Sequence, residues 1–290
     1  MRRACIDIGS NTTRLLIADC GPGELVPVHQ ERAFTHLARG RLADGTITAH
    51  KLEEVTDVVA AQVARARELG AAEVAAVATA AIRDAANGAE LATAVRNSCG
   101  LEVEVLTAER EARLAFLGAA RTLGHVPAGD LGVVDVGGGS SEMVVGSPPD
   151  VVIWSASFGL GSGELTESRL HSDPPSESEL EDVRTVIARA LSGLEVPHPA
   201  EAVAVGGSAA SLRQLAGSLL DADAFSRSLR LLASEPARVI ARRFDLHIER
   251  VRLLPAGLLI LQAAAELFGA PLRVGIGGIR EGILLEAAGG

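Results

Sequence analysis

The chain reads as an α/β protein built from two similar halves, and three observations lead there. An apolar strand, Ala4-Cys5-Ile6-Asp7-Ile8-Gly9, breaks into Ser10-Asn11-Thr12-Thr13-Arg14 and resumes as Leu15-Leu16-Ile17-Ala18. The same design returns as Gly132-Val133-Val134-Asp135-Val136-Gly137, then Gly138-Gly139-Ser140-Ser141, then Glu142-Met143-Val144-Val145. Asp7 and Asp135, like Gly9 and Gly137, stand 128 residues apart. That interval is far longer than the roughly 20–50 residues of a solenoid repeat, so it marks duplicated domains. After each hairpin, short apolar strands alternate with helical patterns, the signature of α/β architecture. The 290 residues suit two domains at about 100–200 residues each.

Each element follows from local pattern. After the first hairpin, residues 31–37 predict a third strand. Residues 48–69 carry Leu52, Val55, Val58, Val59 and Val63 at helical spacing and stop before Gly70. Residues 74–78 form an apolar strand running into Thr79-Ala80-Ala81-Ile82-Arg83, with a helix through Val95. A strand over 102–106 and a helix from Ala108 to about Arg121 complete the half. Gly124, Pro127 and Gly129 mark a hinge, giving domains 1–124 and 125–290, the C-terminal helix expected to pack back on the first. The second half predicts a strand over 151–157, a Gly-rich turn over 159–163 and a helix over 176–191. A strand over 202–205 ends in Gly206-Gly207-Ser208 and opens a helix. Two further helices precede a strand over 272–274, which ends in Gly277-Gly278-Ile279-Arg280-Glu281-Gly282. Such strand ends place ligands beside helix N-termini.

Composition narrows the partners. A net charge of −10, 2% aromatic residues and no tyrosine argue against nucleic acid, which calls for a basic surface and stacking rings. Cys5, Cys20 and Cys99 form no disulfide framework, and the 7 histidines show no metal-ligand spacing. Met1-Arg2-Arg3 runs straight into a strand without a leader pattern. No apolar run is read as approaching a membrane span. The expectation is therefore a cytoplasmic protein with no membrane partner. An acidic chain repels polyanions as a whole, so any attraction to phosphate has to be local.

The hairpin turns supply that locality. Glycine lets the backbone approach an anion, and successive turn N–H groups make an anion-binding concavity. A lone Asp-x-Gly is usually an ordinary turn; its repetition at matched register is what points to a phosphate clamp. Candidate phosphate contacts are Gly9, Ser10, Asn11 and Thr12 in one turn and Gly137, Gly138, Gly139 and Ser140 in the other. Arg14 and Arg83 offer planar forks of donors close to those loops. An Asp cannot bind phosphate directly but can hold a cation that does. Asp135 and Asp7, with Glu142 as a third, are candidate ligands for Mg²⁺ or Mn²⁺. Arg280, followed by Glu281 at a helix start, reads more readily as structural. The loop Leu37-Ala38-Arg39-Gly40-Arg41-Leu42 is either a basic lip guiding a polyanion or a solvated loop.

With these residues assembled, the chain resembles the exopolyphosphatase and guanosine-pentaphosphate phosphatase (Ppx/GppA) family of the actin–hexokinase–Hsp70 superfold. The resemblance rests on Asp7-Ile8-Gly9-Ser10-Asn11-Thr12, Ala78-Thr79-Ala80-Ala81-Ile82-Arg83, Glu111-Ala112-Arg113-Leu114 and Asp135 through Glu142. Gly206-Gly207-Ser208, similar to the superfold's third phosphate or nucleoside loop, and Gly278-Ile279-Arg280-Glu281-Gly282 are weaker but in order. It implies two actin-like (ribonuclease H-like) domains with the active site in the cleft between them. It also implies metal-assisted hydrolysis of terminal phosphate from polyphosphate, with Glu111 as the base that activates water. The 5′-phosphate of guanosine pentaphosphate is the alternative substrate, and a non-catalytic phosphate sensor the alternative class. Relatives are often homodimers, and longer ones add C-terminal helical domains, so the chain looks like a short form. Three departures stand out: Arg110 where relatives have an acid before the base, Gly207 where Thr is common, and Ala38-Arg39 where Gly and Glu are common. The residues alone do not separate Glu111 from Glu109, because any acid suits a first helical turn.

Overall fold

The computed structural model describes residues 1–21 and 23–289. β1 (Arg2–Ile8) and β2 (Thr13–Gly21) form the first hairpin, and β3 (Glu24–Ala33) pairs antiparallel with β2. The third strand thus begins at Glu24, not Glu31, and ends before Leu37. Pro27 interrupts the apolar stretch 25–28 and argues against a strand there, but it is tolerated because β3 is an edge strand that leaves Val26 and Val28 exposed. Pairing with β2 supplies the order instead, and Leu37–Gly40 becomes a 3-10 turn.

α1 (Ala49–Glu68) starts at Thr48, whose side chain accepts from the Lys51 amide, an ordinary N-cap. Its stripe Leu52, Val55, Val59, Val63 and Ala66 is buried with β1 and β2. β4 (Glu73–Ala78) joins β1 in parallel. The single helix expected after it is two, α2 (Ala80–Arg83) and α3 (Gly88–Cys99). Gly88 lies directly against the Ile82 carbonyl, where a side chain would collide. β5 (Val103–Val105) and α4 (Ala108–Arg121) follow.

The second hairpin is β6 (Leu131–Val136) and β7 (Ser141–Ser147), with β8 (Val151–Phe158) on its outer side. α5 (Ser162–Arg169), α6 (Glu177–Ala190), β9 (Glu201–Val205), α7 (Gly206–Ala216) and a short β10 (Leu219–Leu220) come next. Three helices, not the expected two, precede the last strand: α8 (Ala222–Ser234), α9 (Ala237–Arg243) and α10 (Ile248–Phe268). Pro236 and the positive φ of Asp245 set the breaks. β11 (Leu272–Val274) and α11 (Ile279–Gly289) end the described chain. The sheets run β3-β2-β1-β4-β5 and β8-β7-β6-β9-β11-β10, one strand order twice with a small addition.

α10 corrects the reading of membrane spans. Among the described residues it is the one helix long and apolar enough to cross a membrane, yet most of its apolar window is buried. Leu254, Leu258, Leu261 and Phe268 pack with β6, β9 and β11 in the second core. It is apolar nearly all round because it is surrounded by protein.

Two helices join the halves. α4 sets Ala112, Phe116 and Ala119 on β6, β7 and β9, while Leu114 reaches Cys5, Leu16 and Ala18 on the first sheet. α11 packs Leu284 on that first sheet. The helices cross where Gly118 meets Gly278 and Gly282 meets the Leu114 carbonyl, with no room for a Cβ. Truncating the fully buried Phe116 to Ala is expected to cost about 3–5 kcal/mol.

Candidate active site

The two turns close in the same way. The Gly9 amide donates to the Thr12 carbonyl at 3.1 Å, and Gly137 to Ser140 at 2.9 Å. They face each other in contact: a Cβ on Gly139 would stand 2.5 Å from Ser10 Oγ, and one on Gly138 3.1 Å from Asn11 Cβ. A side chain on either glycine would press against the Ser10 and Asn11 side chains of the other turn. Between the halves lies a cavity of about 850 Å³, lined by residues of both turns and by Asp7, Arg14, Glu111, Asp135, Glu142, Gly206 and Gly207.

Register decides which side chains share that cavity. Arg14 lies directly across from Asp7, and Glu142 directly across from Asp135, so each pair stands on one face of its hairpin. Burial pushes the Asp7 carboxyl up, against the pull of Arg280 and Arg14. Its Oδ1 is buried without a hydrogen-bond partner. Asp135 is pushed up to about 7, first by burial and then by Glu142 and Asp7. Gly206, at φ +85°, leaves no space for a Cβ beside Asp135 Oδ1.

Glu111 lies in the first turn of α4, which Thr107 caps by accepting from the Arg110 amide. It is 1% exposed. Arg83 Nη1 donates to Glu111 Oε1 at 2.5 Å and to the Leu106 carbonyl at 3.1 Å. Burial, then repulsion from Glu142, raises the Glu111 carboxyl well above the usual range, while Arg83 pulls the other way. Burial raises Glu142 too, against hydrogen bonds from Ser140 and Ser157. Glu109 is exposed, so helix geometry separates the two acids that the sequence left level. Arg110 turns away to Glu286, at 2.7 Å, and toward Glu104, at 3.6 Å.

Opposing these acids is a group of guanidinium ions. Arg14, Arg32, Arg250 and Arg280 all line the cavity. Arg14 and Arg32 are cross-strand neighbours. Burial, then Arg280 and Arg32, lowers Arg14 to about 10. Burial and the same like charges depress Arg250, whose Nε has no partner. Arg280 Nη1 donates to the Leu15 carbonyl at 3.3 Å, with Nη2 3.8 Å from Glu281. Cations that repel one another in a cleft concentrate an anion there.

Most sequence candidates therefore reach one cavity. Arg83 reaches it through Glu111. Ser208 does not line it: its hydroxyl packs against Gly257 of α10. Arg32, Arg250 and Ser162 line the cavity and were not singled out, while Arg280 was read as structural. Arg250 carries little signal, since it stands between Glu249 and Arg252 in an ordinary charged helix start. Arg32 had none until register placed it across from Arg14. The two arginines of the loop over 37–42 are exposed but paired: Arg39 with Glu167 at 2.5 Å and Glu249 at 3.8 Å, and Arg41 donating to the Asp84 carbonyl at 2.8 Å. Both are engaged with protein groups. Among the described residues, no three His, Cys, Asp or Glu side chains converge as a metal cage.

Comparison with known proteins decides the family, because the model of the Ppx/GppA phosphatase family matches residues 16–289. The chain belongs to the Ppx/GppA phosphatase family. Exopolyphosphatase 1 of Mycobacterium tuberculosis is 33% identical over 225 residues, 75% of this chain and 64% of that protein. This Ppx/GppA chain thus matches just under two thirds of that relative's length. Exopolyphosphatase 2 of the same organism is 34% identical over 236 residues, 77% of this chain and 73% of its own. The solved Ppx/GppA enzyme of Aquifex aeolicus is 31% identical, covers 99% of both chains and superposes with a TM-score of 0.81. The fold is accordingly that of two actin-like domains.

Proposed function

We propose that the protein is an exopolyphosphatase, hydrolysing terminal phosphate from inorganic polyphosphate in the cleft between residues 1–124 and 125–290. One observation carries the reading: the buried, Arg83-held Glu111 carboxyl opens into the same cavity as both glycine turns. Phosphoanhydride hydrolysis needs an oriented water, an acceptor for its proton and charge stabilisation for the phosphoryl group. Glu111 in its ionised form is the acceptor; Arg83 favours that form against burial and Glu142, and fixes the carboxylate. The amides of residues 9–12 and 137–140 cradle the terminal phosphate, and Arg14, Arg32, Arg250 and Arg280 hold the phosphates behind it.

A divalent cation fits among the carboxylates of the same cavity. Asp135 faces Glu142 without a compensating cation on its own hairpin, and Asp7 has an orphaned oxygen. Mg²⁺ or Mn²⁺ suits few protein oxygens, with water and phosphate completing the shell. When bound, the ion neutralises charge on the phosphoryl oxygens. The acidic surface and buried α10 accord with a cytoplasmic enzyme acting on a free polyanion, and sedimentation would show whether it works as a homodimer.

The test is phosphate release from polyphosphate, guanosine pentaphosphate and ATP, each with Mg²⁺. Release chiefly from polyphosphate is expected. Release from guanosine pentaphosphate alone would shift the assignment to that nucleotide, and none from any would favour a binding sensor.

A further inference from the structure

The ion pair between Arg39 and Glu167 lies outside the cavity lining, yet it joins the backs of the two phosphate-facing turns. On one side, the Ala38 amide donates to the Ser10 carbonyl at 3.0 Å and the His36 amide to the Asn11 carbonyl at 3.1 Å. His36 Nδ1 also meets Asn11 Oδ1 at 2.7 Å. The 3-10 turn carrying Arg39 is therefore tied to the first turn. On the other side, the amides of Ser162, Gly163 and Glu164 donate to the Gly137 and Gly138 carbonyls at 2.9–3.0 Å. α5, which carries Glu167, is tied to the second turn. Arg39 Nε donates to Glu167 Oε1 at 2.5 Å, across 128 residues of sequence. The pair thus joins the 3-10 turn that follows the third strand of one half to the helix that follows the third strand of the other.

Two further contacts reinforce it. Arg39 Nη2 lies 3.8 Å from Glu249 at the start of α10. Beside it, Phe34 stacks on His247, ring centroids 4.5 Å apart. Each of these contacts runs from the first half to the second.

We propose that Arg39, Glu167 and Glu249 form a latch that sets the separation of the two turns, which makes Arg39 a positioning residue for the reaction. Rigid backbone ties pass any change in the latch straight to the surfaces that grip phosphate. The side chains are half-exposed, 50% for Arg39 and 39% for Glu167, so the latch is weak and salt-sensitive. Exposed pairs of this kind shift an equilibrium by roughly 1.5- to 5-fold, enough to bias an opening without locking it. The kinetic part rests on the proposed hydrolase activity; the latch itself does not.

The test therefore carries two readouts. Spin labels at Glu53→Cys on α1 and Arg227→Cys on α8, with Cys99→Ser, report the distance between the halves by pulsed electron resonance. Arg39→Glu, which sets three carboxylates together, is expected to lengthen or broaden that distance. It should also lower kcat for polyphosphate by about 3- to 10-fold, more than it changes KM. Arg39→Lys should retain most of both. The exchange Arg39→Glu with Glu167→Arg should restore both, because the new Arg can reach residue 39 and Glu249. High salt should bring the wild type toward Arg39→Glu. An unchanged distance in Arg39→Glu, or failure of the exchange to restore it, would overturn the latch. If the wild type releases no phosphate, the distances alone decide the latch, and only the hydrolase reading falls.

Discussion

The two hairpins share a backbone and differ in charge. Both place an Asp near the end of a first strand, close a turn from the following Gly, and present the residue seven positions on directly across from the Asp. In the first copy that residue is Arg14; in the second it is Glu142. Asp7 therefore sits beside a cation on its own hairpin, and Asp135 beside a second acid. The shift of Asp135 up to about 7 reflects that neighbour after burial. Duplication supplied one geometry, and one exchanged charge separates the copies; in the function proposed above the first copy leans toward the anion and the second toward the cation. The opposed arrangement suits a bound ion and a phosphate meeting between them.

The largest expected effect lies on the acidic side. Glu111→Gln keeps size and the contact with Arg83 but cannot take a proton. Turnover should fall by roughly 10²–10⁴, as for loss of a positioned general base, with phosphate affinity retained. Glu109→Gln, on the exposed side of the same turn, should change little. Equal losses in the two variants would show that helix charge, not proton acceptance, is at work.

Next comes the comparison itself. Asp135→Asn should weaken the apparent Mg²⁺ affinity by about 10- to 100-fold, the scale seen when a metal site loses a supporting group. High Mg²⁺ or Mn²⁺ should recover part of the activity. Asp7→Asn should lose less metal affinity, because Arg14 and Arg280 already offset Asp7. Metal titrations of both variants check the order; a larger loss at Asp7 would reverse the division of labour between the hairpins.

The sequence carried the hairpins well because their periodicity, turn residues and matched interval are local or repeated signals. It carried Glu111 only through the family resemblance, since Glu109 meets the same helix-end preference and burial alone tells them apart. It could not carry Arg32, whose role depends on a cross-strand pairing with Arg14, nor the start of β3, an edge strand with few buried residues. Arg39 is legible as a departure, but its pairing is not, because its partners are 128 and 210 residues away in the chain. Long-range pairing is what a single sequence hides.

On the cationic side, Arg14→Gln should raise KM for polyphosphate by about tenfold, the scale of a lost hydrogen bond to a charged group, with kcat little changed. Such a split marks binding shared by ground and transition states. Arg14→Glu writes the second copy's charge into the first and should raise KM further. Steady-state kinetics at fixed ionic strength decide this; a fall in kcat without a change in KM would move Arg14 from holding phosphate to the reacting centre.

The smallest effect is one of stability, and its sign follows from Asp135. Its carboxyl has an ordinary value of 3.8 and a folded value of about 7, so the folded protein holds a proton that the unfolded chain releases. This contribution is complete below about pH 3.8 and is lost as pH rises through 7. In a chelating buffer, Tm should therefore fall between pH 5.5 and 8, by a few degrees if about 1 kcal/mol moves Tm by roughly 2–4 °C. Added Mg²⁺ should raise Tm by binding the folded state, and more so at pH 8, where the carboxylate is already bare. Asp135→Asn should make the chelator profile less steep, the raised Glu111, Glu142 and Asp7 carboxyls keeping the rest of the slope, and should blunt the Mg²⁺ response, whereas Asp7→Asn should blunt it less. Calorimetry of the three proteins at two pH values, with and without Mg²⁺, makes the comparison. A Mg²⁺ response that survives in Asp135→Asn but vanishes in Asp7→Asn would place the cation on the first hairpin.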